Sequence, residues 1–133
     1  MIKKKFIRLS KFKRLLLMLI LTFSLSLSAQ TDQQVLRELQ KHNVKHPEIV
    51  LAQAKLETGN FTSELCKKHG NLFGLKGKKG YAKFSSWRES VKAYKEWVQY
   101  KYKGGDYYVF LRNIGYASDP NYIIKVKKIA KKV

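Results

Sequence analysis

The chain has 133 residues, with 28 Lys and Arg against nine Asp and Glu, a formal net charge of +19 and a single cysteine. One cysteine excludes an internal disulfide, and so short a chain has room for one modest core and one site. The charge selects an anionic partner, whether cell-wall polymer, lipid headgroup or nucleic acid.

Residues 1–29 read as an export signal. Lys3, Lys4, Lys5, Arg8, Lys11, Lys13 and Arg14 make a basic start, Leu15 to Leu25 an apolar stretch, and Ser26-Leu27-Ser28-Ala29 a small-residue cleavage site. The apolar stretch falls well short of the ~20 residues a spanning helix needs, and no cysteine follows it to carry a lipid. Export argues against nucleic acid as the partner. Residues 30–133 are then one domain. Seven of the 28 basic residues and none of the nine acidic ones lie in the leader, which leaves the domain a net charge of +12.

With no disulfide, the domain must be held by packing, which suits a helical core. Asp32 caps a first helix carrying Val35, Leu36 and Leu39 on one face. Pro47 suits the first position of a second helix, which runs through about Leu56 and ends at Gly59. Ser63 to His69 reads as a short helix stopped by Gly70. The run Asn71 to Gly80 holds too many glycines for a helix, and Tyr81 to Phe84 is one strand of a small hairpin. Ser86-Trp87-Arg88-Glu89 has the form of a capping box. The helix it opens turns Val91, Tyr94, Trp97 and Val98 to one side and is broken by Gly104-Gly105. Tyr107 to Asn113 is a further short helix. Asp119-Pro120 opens the last one, with Asp as cap and Pro at the first position; Ile123, Val126, Ile129 and Ala130 line one face and lysines the other. The fold class is all-α, with five or six helices and at most a small hairpin.

Glu57 is the residue that carries chemistry. It sits at the C-terminal end of an apolar helix, where the helix dipole favours cations, beside Leu56 and Phe61. Burial and dipole both penalise its charged form and raise its pKa. Moving a Glu from about 4.3 to about 6 takes only roughly 2 kcal/mol. A carboxylic acid that keeps its proton near neutrality is what protonating a glycosidic oxygen requires. On pattern alone, a surface Glu that ends a helix is the simpler alternative.

Other constellations carry less. Aromatic residues crowd the segment from Tyr81 to Tyr122. Their faces suit sugar rings, although about half of them serve as core, Tyr94 and Trp97 among those. Tyr116 and Tyr122 flank a turn and are placed for a groove. His42 and His46 are four residues apart, but Pro47 disfavours helix at His46 and no third ligand appears, so no metal site is expected. Cys66 and His69 share one short helix without an orienting partner, so Cys66 reads as a buried thiol rather than a nucleophile. No cofactor motif is present. The lysine-rich end, Lys125 to Lys132, is by default a solvated face, with contact to anionic polymer or to a membrane as the alternative.

The motifs together resemble a known family. Leu51-Ala52-Gln53-Ala54-Lys55-Leu56-Glu57-Thr58-Gly59 resembles the catalytic-helix signature of the bacterial glucosaminidase family, peptidoglycan hydrolases with a lysozyme-like helical fold. Asn71-Leu72-Phe73-Gly74-Leu75-Lys76-Gly77, Ser86-Trp87-Arg88-Glu89-Ser90 with Tyr94, and Tyr116-Ala117-Ser118-Asp119-Pro120-Asn121-Tyr122 resemble its later blocks, in order, from about Pro47 to Ile129. The resemblance implies Glu57 as general acid; Tyr116 is the catalytic residue expected to orient or stabilise the substrate's 2-acetamido group where that group is the nucleophile. The resemblance also implies a groove lined by Gln53, Phe61, Asn71, Phe73 and Tyr122. Two departures stand out. Asn60-Phe61 replaces the family's usual Trp-Gly. Only Gly77 to Ser85 remains of the β-lobe that often bears a second carboxylate, and it holds no Asp or Glu. Glu64, Glu89 and Asp119 are the other candidates for that acid, beside attack by the substrate's own 2-acetamido group. The expectation is a monomeric, exported endo-N-acetylglucosaminidase acting on the peptidoglycan glycan strand in the periplasm or outside the cell. The alternatives are a non-catalytic wall-binding module of the same fold and a basic peptide-like effector acting on membranes.

Overall fold

In the computed structural model the described residues are 30–133; the expected export signal at 1–29 lies outside them. Six helices are separated by one minimal hairpin: α1 Asp32–Lys41, α2 Pro47–Thr58, α3 Glu64–His69, β1 Lys76–Gly77, β2 Gly80–Tyr81, α4 Trp87–Trp97, α5 Tyr107–Asn113 and α6 Tyr122–Ala130. A 3-10 turn, Gln99–Lys101, follows α4. Among these residues no helix is long and apolar enough to cross a membrane.

α2 is the central helix. Val50, Leu51, Ala52, Gln53 and Ala54 are all buried on consecutive positions, so α2 has no solvent face over that stretch, and other elements pack around it. α1 lays Val35 and Leu39 against it. α6 packs along it through a separate cluster of Ala52, Tyr122 and Val126. Pro47 starts α2 as expected, with His46 in the left-handed conformation before it at φ 51°. Gly59 stops α2 at φ 54°, its N–H returning to the Lys55 carbonyl. Asn60 and Phe61 then continue left-handed, at φ 57° and 67°. Such conformations cost non-glycine residues about 1–2 kcal/mol each. The turn is held by Thr58, whose hydroxyl donates to the Ala54 carbonyl at 2.7 Å and accepts from the Phe61 N–H at 2.8 Å. Its yield is a Phe61 ring only 5% exposed, packed in the core.

Several local expectations are corrected. Thr31, not Asp32, caps α1 and forms a capping box with Gln34. Ser86 makes no side-chain cap on α4, so the Ser86–Glu89 box is not formed. Ser90 takes the polar role there instead, donating to the Trp87 carbonyl at 2.6 Å and accepting from the Leu72 N–H at 3.3 Å. Trp97 is 45% exposed rather than core, resting on Phe84. α4 stops at Trp97, ahead of Gly104-Gly105, and α5 is capped by Asp106, which accepts from the Tyr108 and Val109 N–H groups. Asp119-Pro120 forms a turn before α6, whose capping position is Asn121. The hairpin pairs Lys76 with Tyr81 and Gly77 with Gly80, earlier than the Tyr81 to Phe84 strand expected.

Candidate active site

A cleft of about 650 Å³ runs past the end of α2, the 73–76 loop, Tyr81 of the hairpin, and the turn that leads into α6. Glu57 reaches it from the last turn of α2 and is half-buried. Burial pushes its carboxyl above the ordinary range; a hydrogen bond from Tyr122 and the charge of Lys76 pull in the other direction without cancelling that effect.

Gly74 explains how the loop comes so close to this acid. It sits at φ +64°, and a Cβ built on it would lie 2.9 Å from Glu57 Oε2. Only glycine meets both conditions. The loop is shaped by Asn71, whose amide nitrogen donates to the Leu75 and Ala82 carbonyls at 2.9 and 3.0 Å. Its oxygen accepts from the Phe73 and Leu75 N–H groups at 3.3 and 3.0 Å.

Tyr116 and Tyr122 stack with ring centroids 5.6 Å apart on the cleft. The Tyr116 ring keeps an exposed edge while its hydroxyl lies inside, donating to the Phe73 carbonyl at 2.7 Å. Burial, with the neighbouring Tyr122 and Glu57, holds the Tyr116 phenol well above its usual pKa. Burial likewise raises Tyr122. Both phenols therefore stay protonated across any working pH and act as fixed dipoles.

Asp119 also lines the cleft. Its carboxylate accepts from Lys125 at 2.6 Å and from the Asn121 N–H at 2.9 Å. Lys125 first, then Asn121, hold it below the usual carboxylate range. Glu64 is paired with Lys68 on the exposed side of α3, and Glu89 lies exposed on α4. Neither lines the cleft.

Of the sequence candidates, Glu57, Tyr116, Tyr122 and Phe73 come together here. Phe73 does so with its ring nearly covered, 1% exposed and packed on Tyr94 at 4.7 Å, so it offers backbone and a ring edge rather than a platform. Gln53, Phe61 and Asn71 are placed in the interior, at 0%, 5% and 0% exposure, and not on the cleft wall. Gln53 sits one turn before Glu57 but hands its amide to Tyr122 at 3.0 Å and takes the Tyr94 hydroxyl at 2.5 Å. A polar residue inside an apolar helix signals a buried network as readily as a ligand contact.

Lys76 and Tyr81 were missed. Tyr81 is 55% exposed, and the Lys76 ammonium lies 5.2 Å from its ring centroid. An aromatic ending the polar run Lys76-Gly77-Lys78-Lys79-Gly80 was the available signal. His42 bonds Glu38 at 3.2 Å and His46 bonds the Tyr102 hydroxyl at 2.9 Å, in separate places. Cys66 is buried in the core.

A half-buried carboxyl raised by burial, set in an open aromatic groove on a small helical domain, is an arrangement that glycoside hydrolysis can use. Residues 32–133 match the glucosaminidase family model, described as mannosyl-glycoprotein endo-β-N-acetylglucosaminidase, and the chain belongs to that family. Among solved structures it is similar to the catalytic domain of the autolysin Auto from Listeria monocytogenes. Identity is 24% over 87% of this chain and 93% of that one, with a TM-score of 0.55, which establishes a shared fold. A search of curated proteins gives no match.

Proposed function

We propose that the chain is an exported peptidoglycan hydrolase, its leader 1–29 removed, that cleaves the β-1,4 bond following N-acetylglucosamine with Glu57 as general acid. The observation that carries this is the half-buried Glu57 carboxyl, raised by burial, on the wall of a cleft large enough for sugar rings. Acid catalysis needs a group that is protonated when substrate binds and can release its proton in the transition state. Family membership supports the glycosidase chemistry. Lys76 and Lys125 on the cleft suit a strand that bears carboxylates. The autolysin likeness in fold is compatible with action at the cell wall.

Two cleft acids are driven apart in pKa, Glu57 up and Asp119 down. Such a split is the pattern of an acid beside a permanent carboxylate. Asp119 is thus the carboxylate available to oppose positive charge on the sugar or to activate water, and the 2-acetamido group of the substrate is the other source of the second function. Tyr116, with its proton committed to Phe73, presents its ring edge to that region. The non-catalytic wall-binding module differs in one result: it sediments with peptidoglycan and releases no reducing ends.

The test is digestion of purified peptidoglycan by the chain lacking residues 1–29. New reducing ends should appear, with N-acetylglucosamine at the terminus by mass spectrometry. Glu57→Gln, which keeps the shape, should lower the rate by at least about 100-fold while the protein still melts cooperatively. Full activity in that variant refutes the assignment.

A further inference from the structure

The turn that carries Asp119 is the common wall of two cavities. Beside the Glu57 cleft lies a second one of about 370 Å³, which shares Ala117, Ser118, Asp119 and Tyr122 with it. Its floor is aliphatic: Leu111 of α5, Pro120 of the turn, and Ile123 and Ile124 of α6. Ile124 is 57% exposed. Such a floor suits alkyl groups rather than sugar hydroxyls. Two cations reach the cavity from different helices, Arg112 in the last turn of α5 and Lys127 of α6. Lys127 lies one turn beyond Ile123 and Ile124, on their side of the helix, with its ammonium 5.0 Å from the Tyr108 ring centroid. The Arg112 guanidinium makes no hydrogen bond or ion pair among the described residues, and Lys127 makes no ion pair among them. Among the described residues that line the cavity, Asp119 is the one acid. Its carboxylate is already matched by Lys125 at 2.6 Å and the Asn121 N–H at 2.9 Å. In a domain so rich in lysine, an unpaired cation by itself says little. Two of them over an aliphatic floor, next to the cleft, define a ligand chemistry: a carboxylate carried on a short apolar segment.

We propose that this second cavity receives the stem peptide of the strand whose sugars occupy the Glu57 cleft, with Arg112 and Lys127 binding a peptide carboxylate and the aliphatic floor taking alanine methyl groups. The inference rests on the peptidoglycan reading of the cleft. A peptidoglycan strand carries its peptides on the lactyl groups of alternate sugars. Sugar and peptide therefore diverge from one point and need adjoining but separate spaces, which the shared turn at 117–119 provides. Such a strand has two sources of carboxylate: the peptide, and the bare lactyl group where the peptide has been removed. Size selects the peptide. The cavity falls in the range of small-ligand sites, about 300–1,000 Å³. A lone carboxylate occupies only a few water volumes of about 30 Å³ each and would leave the aliphatic floor uncovered. The consequence is specificity: strands that still bear peptides gain contacts that denuded strands lack.

The test compares soluble glycan fragments before and after an amidase has cut the stems from the lactyl groups, with kcat/KM read from reducing-end release. Wild type should favour the stem-bearing fragments by about five-fold or more. Arg112→Gln and Lys127→Gln should each cut that preference by about two- to five-fold, through KM, the worth of one exposed ion pair. Lys128→Gln removes the same charge from the same helix but lies outside the cavity, and should leave the preference unchanged. All three side chains are exposed, so the variants should melt as wild type does. No preference in wild type, a preference untouched in both cavity variants, or an equal loss in Lys128→Gln overturns the proposal. So does an equal slowing on both substrates, which would assign the cations to the glycan or its lactyl carboxylate. If wild type releases no reducing ends, the hydrolase reading fails, and binding still judges the cavity. In NMR titrations muramyl dipeptide should shift the Ile123 and Ile124 methyl groups and the Arg112 Nε–H, whereas N-acetylmuramic acid should not; silence with both, or equal shifts with both, overturns the proposal.

Discussion

Gly74→Ala separates two costs that usually come together. The first is backbone strain: Gly74 stands at φ +64°, and an alanine there costs about 1–2 kcal/mol. For a domain of about 100 residues that lowers Tm by roughly 5–15 °C. The second is displacement. The new methyl carbon would lie 2.9 Å from Glu57 Oε2, where ordinary contact begins near 3.4 Å, so the carboxyl or the loop must retreat by about half an ångström. A 1 Å misplacement of a catalytic group costs about 100-fold, so half that distance costs on the order of ten-fold. Gly105 provides the comparison. It has φ +85°, an added Cβ meets nothing within 4 Å, and it lies off the cleft. Gly105→Ala should therefore lower Tm by at least a similar amount and leave kcat within about two-fold, set by strain alone. The assay is reducing-end release across a substrate range, with melting curves for both variants. Equal kcat in the two variants would refute the claim that the loop fixes the Glu57 carboxyl.

Other outcomes follow from the same geometry. Lys76→Met removes a charge that favours ionised Glu57, so the Glu57 pKa should climb further and the alkaline limb of the pH–rate profile should move to higher pH; a shift to lower pH would contradict the assignment. Tyr81→Ala removes an exposed ring from the cleft and should raise KM by about 2- to 10-fold with kcat nearly unchanged, as read from initial rates on soluble glycan fragments. Glu57→Gln should be more stable than wild type at neutral pH. The folded pKa is raised above the unfolded one, so the folded state holds the extra proton and stability declines as pH rises through that window, upward from 4.5; Gln has no such decline. Denaturant melts at a pH below the window should show the two proteins equal, and a difference that persists there would break the linkage.

The helical class, the central α2 and the position of Glu57 at its end were legible because they depend on local rules. Pro47 and Gly59 bracket α2, and the run Ile49 to Ala54 between them is apolar but for Gln53. The short helix at Tyr107–Asn113 was bounded correctly because Gly105 and Asn113 punctuate it. Boundaries that depended on side-chain competition were not legible. Ser86 has the sequence of a cap, yet it is the neighbouring Ser90 that hydrogen-bonds across to Leu72. The candidate wall residues Gln53, Phe61 and Asn71 share one fault. Each sits in a catalytic-looking motif, but is buried by packing that only the fold supplies. Tyr94 reaches Gln53 from 41 positions away, and Asn71 ties Ala82 from 11. Aromatic density was a poor guide for the same reason. Tyr94 and Tyr107 are nearly inaccessible and their hydroxyls bond one another and the buried amides of Gln53 and Gln99, whereas the exposed cleft platform is Tyr81.

Those buried hydroxyls bear on how Glu57 can serve as an acid at all. Burial alone would hold the carboxyl neutral and reluctant to give its proton away, because the resulting anion would face an apolar wall at the negative end of α2. A fully solvated Glu would ionise near its ordinary value and have no proton left to give at neutrality. The site lies between these limits: burial is the largest influence, opposed first by the Tyr122 hydroxyl and then by Lys76. The two opposing groups act differently. Lys76 stands at the exposed edge of the cleft, where salt screens it and bound substrate changes its surroundings. Tyr122 is 6% exposed and wired to the core, so its support is present before substrate arrives and persists after the cleft fills. Stabilisation of the anion formed on proton transfer should therefore depend chiefly on the tyrosine, and raising the ionic strength should move the alkaline limb less than Tyr122→Phe does.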